Sequence, residues 1–141
     1  MQTETPTPIL MNIGIVCYPT FGGSGVVATE LGIALARSGH KIHFISYQQP
    51  ARFDFFNENL FYHEVMISKY PLFDFPPYET ALTSKLVDVV SFEKLDLLHV
   101  HYAIPHASAA IMAKQILAQN GIHIPVITTL HGTDITLVGR D

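Results

Sequence analysis

The chain has 141 residues, a formal net charge of -4, 48% hydrophobic residues and only 14% charged ones. That is enough for one domain with a real core, too little for two ordinary domains, and too apolar for a disordered or coiled-coil chain. No basic face is advertised, which argues against nucleic acid or an anionic membrane as the main partner.

The first eight residues, Met1 to Pro8, are polar and proline-containing and read as a loose leader. They lack the cationic start and apolar middle of a signal peptide, and no apolar run nears the ~20 residues that span a bilayer. Ile9 to Cys17 is a nearly continuous apolar run, which predicts a strand buried on both faces. Tyr18 to Gly25 is a turn cluster. Val26 to Arg37 has helical spacing, with Ser24 as candidate cap and Gly39 as stop. Lys41 to Tyr47 is a second strand, so the first half is a βαβ unit.

Phe61 to Ile67 is a candidate strand, and the aromatic, proline-rich Tyr70 to Tyr78 an ordered loop. Glu79 to Leu95 is a predicted helix and Asp96 to His101 a short strand. His106 to Asn120 is a small-residue helix ended by Gly121, and Ile124 to Leu130 a last strand. The alternation predicts an α/β fold, a Rossmann-like doubly wound parallel sheet. The chain closes on Gly139-Arg140-Asp141 without a packing element, which suggests a piece of a larger protein. The lone cysteine, Cys17, excludes an intrachain disulfide and a cysteine zinc cluster, and fits a reducing cytoplasm.

In such sheets ligands collect beyond the carboxyl ends of the strands. Three polar clusters fall there: Gly22-Gly23-Ser24-Gly25, His99 to His106, and Thr128 to Asp134. Glycines let the backbone approach a ligand, and amides opening a helix favour a phosphate or carboxylate. A plain tight turn is the alternative. The loop is not G-x-G-x-x-G, and His43, Ser46 and Tyr47 stand where a ribose-binding acid would end the second strand. His99 and His101 share one strand face, a spacing that suits zinc, with His106 and His131 as distant further ligands. The more ordinary reading packs one of them and aims the other into a cleft. Tyr102 could donate a hydrogen bond or cover the core edge. His131, beside the turn-forming Gly132, is the candidate for contact with developing charge, and Asp134 for orienting a hydroxyl or capping a helix. Catalytic carboxylate pairs and a serine nucleophile elbow are not evident.

The stretches GGSGVVATELGIALARSGHKIHFIS (Gly22 to Ser46), FPPYETALTSKL (Phe75 to Leu86), LLHVHYAIPHASAA (Leu97 to Ala110) and TTLHGTDITLVG (Thr128 to Gly139) resemble the N-terminal domain of a retaining glycosyltransferase of family 4, with the GT-B fold. The resemblance covers nearly everything after the leader, and the last two stretches together are its most specific part. It implies that residues 9–141 are the acceptor-side half of a two-domain enzyme whose donor domain lies outside this chain, so that this piece alone is inactive. It further implies transfer of N-acetylglucosamine from UDP-N-acetylglucosamine to the hydroxyl of L-malate with retention, the first step of bacillithiol biosynthesis, in the cytoplasm. It implies no cofactor and no metal, small-molecule partners only, and a homodimer as one arrangement of the full-length protein. By resemblance, Gly22, Gly23, Ser24 and Gly25 lie near the diphosphate and acceptor, Ser24, Tyr102 and Thr129 help bind malate, and His131 contacts the transferred sugar. Competing readings are a family-4 transferase with a sugar or inositol phosphate acceptor, a non-catalytic anion-binding module, and a nicotinamide-dependent oxidoreductase.

Overall fold

The structure is a computed structural model and describes residues 9–19, 23–50, 57–67 and 78–132. Its elements run β1 (Asn12–Val16), α1 (Ser24–Arg37), β2 (Lys41–Ser46), β3 (Leu60–Glu64), α2 (Tyr78–Glu93), β4 (Leu97–His101), α3 (Ser108–Gln119) and β5 (Val126–Thr129). All strand pairs are parallel. The strand order is β3-β2-β1-β4-β5. The order reverses between β1 and β4, and chains leaving those two strands diverge there to open a crevice.

Side-chain alternation builds two cores from one sheet. On one face Ile13, Ile15, Cys17, Ile42 and Phe44 meet Ala28, Ile33 and Ala36 of α1. On the other, Val16, Ile45, Leu98 and Val100 meet Leu82, Leu86 and Val89 of α2 and the alanines and Leu117 of α3. Both faces of β1 are thereby covered, which explains its unbroken apolar run. Each fully buried Leu, Ile or Phe contributes about 1.5–3 kcal/mol. Helix α1 rides low over the sheet because Gly32 has no side chain. A Cβ there would lie 2.4 Å from Cζ of Phe44 and 3.1 Å from Cδ1 of Ile15. Among the alanines of α3, Ala109, Ala110 and Ala113 are wholly buried and let it approach α2.

The sequence elements are all present, with shifted ends. Strand β1 begins at Asn12 and not Ile9, since Ile9 and Leu10 are exposed. The helix predicted from Val26 starts at Ser24, and Ser24 is not its cap. Gly23 holds the cap position at φ 59°, and no side chain caps the helix. At the other end the Ser38 amide donates to the carbonyls of Ala34 and Leu35, and Gly39 turns the chain away at φ 103°. The helix predicted from His106 starts at Ser108. Ala103–Ala107 before it is an irregular turn, with Ile104 extended and the Ile104–Pro105 peptide cis. The leader, Gly22, most of the aromatic loop, Thr133 and Asp134 lie outside the described residues. Among the described residues, no helix is long and apolar enough to cross a membrane.

Candidate functional site

The site is built at the C-terminal edge of the sheet. Helix α1 opens there after the first turn, at Gly23, Ser24 and Gly25. The first amides of a helix have no intrahelical carbonyl to meet, and the helix dipole adds to their attraction for an anion. No acidic residue occupies the first turn to compete with a ligand. Gly23 is exposed, and among the described residues a Cβ added there would touch nothing within 4 Å. Its positive φ disfavours any side chain.

Beyond β4 and β5 the sequence candidates come together. The Tyr102 amide donates to the Thr129 carbonyl at 3.1 Å, which ties the two strand ends. The rings of Tyr102 and His131 lie 6.5 Å apart and nearly parallel, at 16°. Thr129 Oγ1 and His99 Nε2 share a hydrogen bond of 2.6 Å. Tyr102 has φ 90°, a costly conformation for a residue with a side chain. The ties at Thr129 and at the Ala107 amide, which donates to the Tyr102 carbonyl at 3.3 Å, fix it there.

Beneath these residues lies a layer that the sequence names only in part, since His106 is a strand-end candidate and Tyr18 and Tyr78 are read as turn and loop. Tyr18, just past β1, meets Tyr102 edge-on at 5.5 Å and tilts over His106 at 4.4 Å. His106 is wholly buried. Its Nδ1–H donates to the His101 carbonyl at 2.7 Å, which fixes the tautomer, so Tyr78 O–H donates to Nε2 at 3.3 Å. Burial lowers the His106 pKa, partly offset by that carbonyl bond, and raises that of Tyr78. Tyr18 is also pushed up, by burial and then by Tyr102 and Tyr47. The layer is therefore uncharged at neutral pH. Tyr18, Tyr78 and His106 lie far apart along the chain, and no sequence spacing joins the three into a layer.

The His99-His101 pair is stacked at 4.4 Å. His101 Nδ1 and His131 Nε2 lie 3.3 Å apart in a shared hydrogen bond. Burial, then the neighbouring His99, His131 and His106, lower His101 to about 4. Its Nε2 is buried without a partner among the described residues. One half of the ordinary reading is seen: His101 is packed, and it braces the ring of His131, whereas His99 turns its Nε2 to Thr129. Cys17 is buried and its thiol is pushed up to about 12 by desolvation, so it is core and inert. A separate open pocket of about 240 Å³ lies along α2, lined by His63, Lys85, Asp88, Val89, Phe92 and Glu93.

Comparison with known proteins accords with this geometry. The N-acetyl-alpha-D-glucosaminyl L-malate synthase of Bacillus anthracis is 53% identical over 131 residues, 93% of this chain and 34% of that protein. The chain thus spans about a third of the length of that relative. In fold, sucrose-phosphate synthase of Thermosynechococcus elongatus superposes with a TM-score of 0.61 at 13% identity, over 91% of this chain and 35% of that one. The C-terminal domain of a Pyrococcus furiosus hydrogenase superposes with a TM-score of 0.53 at 14% identity, over 92% of this chain and 100% of that one. At these identities the two neighbours show the fold alone. The family described as Glycosyltransferase Family 4 matches residues 21–140, and the chain belongs to that family.

Proposed function

We propose that residues 9–141 are the acceptor-side half of a retaining glycosyltransferase of the cytoplasm. In this reading the whole protein transfers N-acetylglucosamine from UDP-N-acetylglucosamine to L-malate. The malate hydroxyl oxygen bonds to the anomeric carbon and gives up its proton to the departing diphosphate, the bond from that carbon to the diphosphate breaks, and UDP leaves. The 53% identity to a synthase of that name carries the choice of substrates. The open amides of α1 are suited to a carboxylate, and malate has two. Ser24, Tyr102 and Thr129 are assigned to the acceptor, with Gly22 to Gly25 near the diphosphate. His131, braced by His101, is assigned to the transferred sugar, and Asp134 to a substrate hydroxyl.

The test supplies the whole protein with UDP-N-acetylglucosamine and, in parallel, L-malate, D-malate, inositol phosphate or N-acetylglucosamine. UDP release should require L-malate, and NMR should show an α-linked product. Turnover with a sugar or inositol phosphate but none with L-malate would overturn the acceptor assignment. A β-linked product would overturn retention.

A further inference from the structure

A second polar cluster lies away from the crevice, on the sheet face that packs against α2. In the parallel register His43 of β2 stands opposite Phe61, and Ile45 opposite His63 of β3. His43 and His63 therefore project from the same face, and Ile45 between them belongs to the core under α2. Their nearest ring nitrogens, His43 Nδ1 and His63 Nε2, are 2.9 Å apart. His43 is fixed from one side by the Phe61 ring, stacked at 4.6 Å and 12°. Glu93, the last residue of α2, completes the group: one ligand atom from each of the three lies within 4.8 Å of the others.

Glu93 is oddly placed for an ordinary surface carboxylate. It closes a helix, where the dipole repels negative charge, and the last turn of α2 holds no basic residue. A bound cation would offset both. Zinc bonds of about 2.0–2.1 Å at tetrahedral angles set ligand atoms roughly 3.3 Å apart. The imidazoles need to part by only a few tenths of an ångström, and Glu93 to swing inward. We propose that His43, His63 and Glu93 form a site for a divalent transition-metal ion, with Zn²⁺ the best match. Two imidazoles and one carboxylate are a typical donor set for that ion. The fourth position opens onto the pocket of about 240 Å³, which His63 and Glu93 line with Lys85, Asp88, Val89 and Phe92. Water or a small anion fits there, with Lys85 at hand. The ion joins β2, β3 and the end of α2, and stands apart from glycosyl transfer.

The test titrates the whole protein, stripped of metal, with Co²⁺ and then Zn²⁺, and follows cobalt absorption and binding heat. One equivalent of cobalt should give a tetrahedral spectrum that Zn²⁺ displaces. Glu93→Gln and His63→Gln should each weaken binding by at least ~10-fold, whereas the exposed His123→Gln should not. Zn²⁺ should raise the melting temperature of the wild type and not that of Glu93→Gln. Glu93 is only half-buried, so Glu93→Gln decides the matter if His63→Gln does not fold. Protein that takes up no metal, or uptake unchanged by Glu93→Gln, overturns the proposal.

Discussion

The two histidine groups use the same side chain in opposite ways. At the strand ends, His99 and His101 are two residues apart on one strand, so their rings stack and their nitrogens turn to different partners, Thr129 and His131. On the lateral face, His43 and His63 are 20 residues apart in sequence, yet strand pairing brings their nitrogens to 2.9 Å beside a carboxylate. In this sheet the pair on one strand packs and braces, whereas the pair whose nitrogens converge sits on neighbouring strands. The motif that looks like a metal site in the sequence is thus the poorer one in space.

The sharpest way to break this division is His131→Ala in the whole protein. Turnover should fall by at least ~100-fold, as removal of a contact to developing charge does. Cobalt uptake at the lateral site should not change. Near-normal steady-state turnover would remove His131 from its role.

Gly32→Ala should come next, destabilising by about 1–3 kcal/mol in urea titrations through overpacking against Phe44. It strikes the scaffold of the crevice and spares the lateral group, which lies on the other face. Unchanged stability would mean that α1 can lift freely.

Acid should act on both groups. His43 is lowered to about 4 by burial, then by His63 and Lys41, and His101 is lowered to about 4 as well, against an ordinary value of 6.5. Between those values the unfolded chain binds protons that the folded chain refuses. Stability is therefore complete above pH 6.5 and declines as the pH falls toward 4. Urea midpoints measured across that window should decline, and His43→Asn should flatten the slope. A flat wild-type profile would mean that both rings are protonated in place.

Gly23→Ala should cost about 1–3 kcal/mol from its backbone conformation alone, φ 59° and ψ -132°, since a methyl there meets no atom of the described residues. Loss of acceptor affinity beyond that, read as a raised KM for malate, would locate the ligand in front of the glycine. The smallest effect belongs to His63→Gln, which should leave turnover within ~2-fold while metal uptake falls.

Periodicity made much of the fold legible. The apolar runs of β1 and β2 and the glycine stops at Gly39 and Gly121 were enough to order strands and helices. Strand-end logic also places Tyr102, Thr129 and His131 at one edge. Cap preference favours Ser24, yet Gly23, at positive φ, takes that position, and local preference cannot foresee it. The packing of Tyr18 and Tyr78 on His106 and the pairing of His43 with His63 are hidden for another reason. They depend on register and on which strands are neighbours, and local pattern carries neither.

The narrow gap under Gly32 ties a remote packing position to recognition. Two turns separate it from the amides at the mouth of α1, and the helix transmits height along its axis as a stiff rod. A methyl group placed there would tip that rod and re-aim the donors, so altered substrate preference could arise by drift at a position that no ligand ever touches.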